Sequence, residues 1–347
     1  CATVQATKPP YQARRRPYVA DHSLQDARVL VTGAGGPAAV AFMQSVSRAG
    51  AELWAVDIDP YAAGLYLVDA AHRALVPRGD DPGFVEAVAA MCQRARIDVL
   101  VPTVDSELIP AARCVDEFER VGTTVLGQTL DTLETCLDKW TLVQRVAAVA
   151  PDAPVADTEL VDDSFEARSW TFPFIAKPRR GSGSRGVTIV HDAAELARVP
   201  HDGSFIAQEL LPGREHSLDV LAYRSGAVAA VVPRTRLKVD SGIAVAGTVE
   251  PDPELIAYGK RIAEAVGLTS VANVQVKQNR DGLPRLLEVN PRFPGSMPLT
   301  VAAGVDMPVL AVADVLGQPV PATVEFTALA MVRTWTETYF DPKEMMS

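Results

Sequence analysis

Residues 271–292 read VANVQVKQNRDGLPRLLEVNPR, and this stretch decides the fold. Alternating apolar and polar residues on both sides of Asp281–Gly282 predict a β-hairpin, with Asp-Gly as its turn. Glu288 and Asn290 alternate with Leu287 and Val289, so both are expected on one face of the second strand. Gln275 lies on the first strand, and Arg292 follows the second. Two oxygen ligands on one face, with a third from the paired strand, suit Mg²⁺, which fills its remaining positions with water and phosphate oxygens. Arg292 is placed to neutralise charge on a transferring phosphoryl group. Burying a Glu and an Asn at a strand end is costly without a partner, which favours a functional reading of the pair.

The sequence on either side keeps an antiparallel pattern. FPFIAKP (172–178), GVTIV (186–190) and SFIAQELL (204–211) read as strands, as do Ser217–Ala222 and Ala227–Val232 around a turn at Arg224–Gly226. Helices are expected at Asp131–Val149, capped by Asp131 or Thr132, at Pro253–Val266 and at Pro298–Leu316, with a last strand at Phe326–Thr336. In IAKPRRGSGSRGV (175–187) a strand ends at Lys177 and a loop rich in glycine, serine and arginine follows. Glycines let backbone N–H groups approach phosphate oxygens, and Lys177 adds a point charge. Ser182, Gly183, Ser184 and Gly186 are the candidate loop contacts, although a solvated hairpin would read the same way. In QELLPGRE (208–215) the stretch from Glu209 to Leu211 can present backbone groups to an adenine edge and Glu215 can accept from a ribose. Plain surface acids are the alternative for both glutamates.

The first half of the chain alternates strands and helices. Strands are expected at Ala27–Thr32, Leu53–Asp57, Ala74–Pro77, Asp98–Thr103 and Thr124–Gly127. Helices fall between them, including Gly83–Ala95 and a continuous Glu107–Arg120. That order predicts an α/β Rossmann-like domain with a parallel sheet covered on both faces. Gly33–Ala38 (GAGGPA) with Asp57 fits a dinucleotide fingerprint, which keeps an NAD(P)-dependent oxidoreductase open as a second reading. Against it, Pro37 removes a backbone N–H near the would-be pyrophosphate, and Pro342 breaks the Tyr339–Lys343 spacing. Asp105 and Glu107 follow a strand end, where open α/β sheets place ligand contacts, and can meet a substrate ammonium.

The composition narrows the class further. A net charge of −10 over 347 residues argues against a general nucleic-acid binder, so a phosphate site must be a local cluster of cations and N–H groups. No apolar run reaches the ~20 residues of a membrane span. Cys1, Cys92, Cys114 and Cys136 show no C-x-x-C pair or metal spacing, which fits unpaired thiols in the cytoplasm. Residues 1–23, with Arg14–Arg16 among prolines, read as a mobile leader.

Taken in order, Asp138-Lys139, Lys177-Pro178, the glycine-rich loop, Glu209/Leu211, Glu215, Gln275 and Glu288-Val289-Asn290-Pro291-Arg292 resemble the ATP-grasp superfamily. The similarity is to carbamoyl phosphate synthase large subunits and pyrrolysine-pathway carboxylate–amine ligases. The resemblance implies a pre-ATP-grasp domain over 24–130, a small lid subdomain over 131–212 and a large α+β subdomain with antiparallel strands and the metal site over 213–347. It implies that Lys139 and Lys177 hold ATP phosphates, that the loop closes over them, and that Gln275, Glu288 and Asn290 hold one or two Mg²⁺ ions, with Mn²⁺ able to substitute. Arg292 would stabilise the transferring phosphoryl group, and Arg236 a substrate carboxylate or acyl phosphate; Arg234, Ser296 and Asp219 are further candidates for the substrate pocket. The activity implied is ADP-forming joining of a small-molecule carboxylate to an amine, an amino acid or small peptide being expected. Homodimerisation is a family-level expectation, and a catalytically inactive binding module remains open.

Overall fold

The computed structural model describes residues 23–181, 183, 185–240, 243–334 and 336–346. The expected leader, apart from Ser23, and the loop residues Ser182 and Ser184 lie outside the described residues.

The N-terminal domain runs β1 (Arg28–Thr32), α1 (Pro37–Arg48), β2 (Glu52–Asp57), β3 (Arg73–Leu75), α2 (Phe84–Ala95), β4 (Val99–Val101), α3 (Asp105–Arg113), α4 (Val115–Arg120) and β5 (Thr124–Val125). Its five strands are parallel in the order β3-β2-β1-β4-β5. Val29, Leu30 and Val31 are all fully buried, as a strand covered on both faces requires. Pro37 opens α1 at a position where a missing N–H costs nothing. The single helix expected over 107–120 is two helices, because Cys114 leaves helical dihedrals (φ −110°, ψ 26°).

The glycine fingerprint closes on itself. The Gly35 N–H donates to Asp57 Oδ2 at 2.7 Å, and Asp57 Oδ1 accepts from the Asp59 N–H at 2.9 Å. The acid that a dinucleotide ribose would need therefore braces the loop. Gly33 sits at φ +59°, and a Cβ there would lie 2.3 Å from Val104 Cγ2. The glycines thus serve a tight approach of the loop to the start of α3.

Next come α5 (Leu130–Cys136), α6 (Lys139–Val149), β6 (Thr158–Val161), β7 (Phe174–Pro178), β8 (Thr188–Val190), α7 (Ala193–Leu196) and β9 (Phe205–Glu209). The strands form a sheet in the order β6-β9-β7-β8. The helix expected over 131–149 is divided at Leu137–Asp138, and neither Asp131 nor Thr132 caps it. Thr129 accepts from the Thr132 N–H, while Asp138 accepts from the Trp140 and Thr141 N–H groups at 3.1 and 3.2 Å and starts α6.

The remainder is β10 (Glu215–Ala222), β11 (Val228–Thr235), β12 (Lys238–Asp240), β13 (Ile243–Val249), α8 (Pro253–Val266), β14 (Ala272–Gln278), β15 (Pro284–Asn290), α9 (Met297–Ala303), α10 (Met307–Val315) and β16 (Leu329–Val332). Its sheet has the order β12-β13-β11-β10-β14-β15, with β16 paired to β13. The last strand is thus shorter than the expected 326–336. The expected helix over 298–316 is broken at Gly304 (φ +126°), and its halves α9 and α10 meet at 87°. No single described helix is long and apolar enough to cross a membrane. Asp306 caps α10 and accepts a short hydrogen bond from Ser45 of α1. One apolar core accordingly runs from β1 and α1 into α9, α10 and the large sheet.

Helix α8 begins on an Asp252 cap, ends on a left-handed Gly267 and buries Leu255, Tyr258, Ile262 and Val266 along one stripe. Gly259 lies in that stripe, where a Cβ would meet Val231 Cγ1 at 2.7 Å and Leu218 Cδ1 at 3.0 Å. Gly→Ala in a helix interior normally adds about 1 kcal/mol of stability. Here overpacking reverses the sign: Gly259→Ala is expected to destabilise by about 1–3 kcal/mol, read from urea unfolding.

Candidate active site

The site is organised from Asp138. Besides capping α6, its fully buried carboxylate accepts from Arg179 Nε at 2.7 and 2.8 Å and pairs with Arg180 at 3.1 Å. Burial pushes this carboxyl upward, but hydrogen bonds from Arg179 and Thr141 and the two arginine charges outweigh it and hold it below its ordinary range. Its neighbour Lys139 donates a backbone N–H to the Arg179 carbonyl at 3.0 Å, and its Nζ donates to the Gly181 carbonyl at 2.8 Å. The start of α6 and the start of the glycine-rich loop are therefore one clamped unit, with an ammonium group held between them.

That unit forms one wall of a cavity of about 450 Å³. Lys177, at the end of β7, lines it and is only 7% exposed. Its Nζ donates to Gln208 Oε1 at 2.8 Å and to the Leu287 carbonyl at 3.4 Å. Burial pushes its pKa down to about 8; the Lys139 charge adds to this, and Glu288 and Glu215 oppose it. Glu209, Leu211 and Glu215 line the same cavity, and so does Gly181 of the loop. Glu215 accepts from Arg236 Nη1 at 2.6 Å. Gln208 was passed over in the sequence. Its register on β9, opposite Ile175 and diagonal to Lys177, is the signal that points to it: a polar residue on the same inward face as a buried lysine.

The hairpin forms another wall. Gln275 stands directly opposite Glu288, but the next pair is Val276 with Leu286, so Leu287 is an extra residue in a β-bulge. Strict alternation was expected to turn Leu287 away from Glu288; the bulge instead brings both to the cavity. Glu288 Oε1 accepts from Asn290 Nδ2 at 3.2 Å, and Oε2 lies 3.6 Å from Lys139 Nζ. Asn290 thereby keeps its carbonyl oxygen for a ligand. Glu288, Asn290 and Gln275 offer one carboxylate and two amide oxygens beside two ammonium groups. This donor set fits a hard cation that shares its coordination with phosphate and water. Among the described residues no cluster of three His, Cys, Asp or Glu exists that would hold a metal by itself.

A second, larger cavity of about 1080 Å³ adjoins the first and shares Arg185, Arg236, Gln275 and Glu288 with it. Gly183, Asn290, Arg292, Asp105 and Ser296 line it too. Arg292 Nε donates to Asp105 Oδ1 at 2.5 Å, so the arginine after the hairpin is held by the N-terminal domain. Arg234 and Glu107 also line the second cavity, but both are nearly sealed by protein contacts. Arg234 is 2% exposed and pairs in bidentate fashion with Asp219 at 2.6 and 2.7 Å; Asp219 also accepts from Asn273 at 2.8 Å and Thr300 at 2.5 Å. Asp219 is itself fully buried and supports the wall from behind. Glu107 Oε2 accepts from Thr32 Oγ1 at 2.6 Å and from the Val104 N–H, and burial raises its pKa to about 7. The Ser296 hydroxyl accepts from the Ala244 N–H at 3.1 Å. Gly186, on the loop, is at φ +75° and packs on Pro178.

Comparison with known proteins agrees with this geometry. Residues 29–126 match the family described as PylC-like, N-terminal domain, and residues 201–338 match ATP-grasp in the biosynthetic pathway with Ter operon. The arginine-specific carbamoyl phosphate synthase large chain of Geobacillus stearothermophilus is 26% identical over 223 residues, 60% of this chain and 21% of that protein. D-alanine–D-alanine ligase of Pediococcus pentosaceus is 29% identical over 172 residues, 43% of this chain and 48% of that protein. The chain thus spans about a fifth and about half of these two relatives. Among solved structures, biotin carboxylase from Campylobacter jejuni superposes with a TM-score of 0.71 at 15% identity, over 86% of this chain and 73% of that one. Residues 201–338, which carry the Glu-x-Asn hairpin, thus match an ATP-grasp family, and residues 29–126 match a PylC-like N-terminal domain.

Proposed function

We propose that the chain is an ADP-forming carboxylate–amine ligase. ATP would occupy the smaller cavity and the two organic substrates the larger one. The observation that carries this reading is the meeting of Lys139, Lys177, Glu288 and Gln275 on the walls of one cavity, which opens through Arg236 and Glu288 into a second. One relative is named for joining D-alanine to D-alanine, which supports the reaction class.

Lys177 and Lys139 would hold phosphate oxygens, Glu209 and Leu211 would border the base, and Glu215 would meet the ribose. The lid over 131–212 would bring the glycine-rich loop down on the phosphates. Glu288, Asn290 and Gln275 would hold Mg²⁺, which supplies charge neutralisation on the phosphates. A substrate carboxylate oxygen attacks the γ-phosphorus, the bond to the β–γ bridging oxygen breaks, and ADP leaves with that electron pair. Arg236, at the junction of the cavities, and Arg292, on the wall of the larger one, would offset the charge of the acyl phosphate. The amine nitrogen then bonds the acyl carbon, and phosphate leaves with the electron pair of the broken C–O bond. From an ammonium reactant, one net proton is released. Exclusion of water by the closed loop protects the acyl phosphate from hydrolysis.

Phosphate release from MgATP, with acids and amines offered singly and in pairs, tests the activity. Glu288→Ala is expected to lower turnover beyond the roughly 100-fold that loss of a mere supporting partner costs, with unchanged circular dichroism. Full activity in that variant would remove the hairpin from the chemistry.

Lys177 gives a second expectation. Because its folded pKa is lowered to about 8, the free protein loses this charge as pH rises through that value, well before an ordinary lysine does. A bound phosphate selects the protonated form and pulls the pKa back up. MgADP affinity should therefore fall as pH rises from about 8 to 10, by at most about tenfold per unit, with proton uptake on binding. Calorimetry in buffers of different ionisation enthalpy reads both, and Lys177→Met should abolish the uptake. An affinity that stays flat across this window would place Lys177 away from the phosphates.

A further inference from the structure

The wall that the N-terminal domain gives to the larger cavity combines two chemistries. Asp59 and Asp105 are carboxylates on it, while Ile58, Tyr61 and Val104 present apolar side chains that are 52%, 70% and 40% exposed. Single exposed apolar residues need no explanation, but three on one cavity wall beside two acids do. They are not on a slack loop. Asp57 Oδ1 accepts from the Asp59 N–H and Asp59 Oδ1 accepts from the Tyr61 N–H, each at 2.9 Å, and the Pro60 carbonyl accepts from Tyr66 Oη at 2.6 Å. Consecutive Asx turns thus fix the backbone of 57–61 and hold Ile58 and Tyr61 out toward the cavity.

We infer that this wall selects the nucleophile, an amine bearing a branched aliphatic or aromatic side chain. Its ammonium is held at Asp105, and its side chain lies on Ile58, Tyr61 and Val104. Asp105 gives one oxygen to Arg292, and Oδ2 accepts no hydrogen bond from the described residues. An ammonium on that oxygen sits beside the arginine assigned to the acyl phosphate, within reach of the carbon it must attack. Asp59 likewise gives Oδ1 to Tyr61 and keeps Oδ2, a second carboxylate on the wall, while Arg78 of the same wall is paired with Asp80. Removing Ile58 and the Tyr61 ring from water supplies affinity in proportion to the apolar area covered, so a side chain that covers them is favoured over none. The inference rests on the ligase reading and deepens it by naming the amine.

The test is calorimetric binding to the full chain, with and without MgADP. The probes are phenylalanine, leucine, glycine and glutamate in both enantiomers, and 3-phenylpropionate, which lacks the ammonium. Phenylalanine or leucine is expected to bind at least about tenfold more tightly than glycine, a gap that burial of one side chain readily supplies. 3-Phenylpropionate should bind more weakly than phenylalanine. Tyr61→Ser with Ile58→Ser should shrink the preference over glycine to less than about twofold while MgADP affinity and the melting temperature stay unchanged. Equal binding of glycine and phenylalanine, a preference that survives the double variant, or no amine binding at all would overturn the inference. Loss of MgADP binding in the wild type would instead strike the ligase reading. The amine preference, measured without nucleotide, would then stand or fall alone.

Discussion

The fully buried carboxylate of Asp138 is the constraint on which the rest of the site depends. It starts α6 by satisfying two otherwise unpaired N–H groups, and the same oxygens hold Arg179 and Arg180 at the root of the glycine-rich loop. A helix cap alone contributes about 1 kcal/mol. Coupling the cap to two guanidinium groups makes helix and loop cooperative, because displacing either leaves a buried charge without its partners. Lys139, the first residue of α6, and the end of β7, where Lys177 stands, are fixed relative to one another through this joint. The two ammonium groups that face one cavity are therefore set by a residue that does not line it.

The bulge at Leu287 does comparable work on the opposite wall. One inserted residue lets Leu286 and Val289 remain in the core while Leu287 and Glu288 both reach the cavity. It also turns the Leu287 carbonyl toward Lys177, giving that buried ammonium a second acceptor besides Gln208. Neither contact is a carboxylate, so burial prevails and the lysine's proton is held loosely. Under the proposed reading a phosphate at Lys177 would favour the charged form of the lysine.

Much of this was legible in residue order. The parallel N-terminal sheet, the span of α8 and the hairpin around Asp281–Gly282 follow from periodicity and turn chemistry alone, because each element's burial repeats with its own period. What escaped the sequence depends on single non-local contacts. Cys114, Leu137–Asp138 and Gly304 each break a run of residues with good helical patterning, and only packing against other elements decides where. Gln208 looks ordinary until Lys177 is set beside it, and Asp219, expected in the substrate pocket, is a buried partner of Arg234. The GAGGPA loop misleads for a related reason. Glycines that let a backbone approach a pyrophosphate also let it approach Val104, and Asp57 serves the loop as well as it would serve a ribose.

Arg234, Arg236 and Arg292, which line the larger cavity, all rest in ion pairs, and the differences among those pairs decide which can respond to a substrate. Arg234 and Asp219 are 2% and 0% exposed, and Asn273 and Thr300 complete their hydrogen bonds; opening such a pair costs on the order of 3–5 kcal/mol. That pair is framework. Arg236 with Glu215, and Arg292 with Asp105, keep between 16% and 36% of their side chains in solvent, so their attraction is screened and competition from a ligand is cheap. Arg292 and Asp105 moreover come from different domains, 187 residues apart in the chain. A ligand that brings an anion to one and a cation to the other replaces both halves of the pair at once. No unpaired charge is then left in the cleft, and the domain contact is exchanged for two substrate contacts. A substrate carrying only one of the two charges would strand the other, so under the proposed ligase reading this contact would favour the simultaneous presence of an activated acid and an amine.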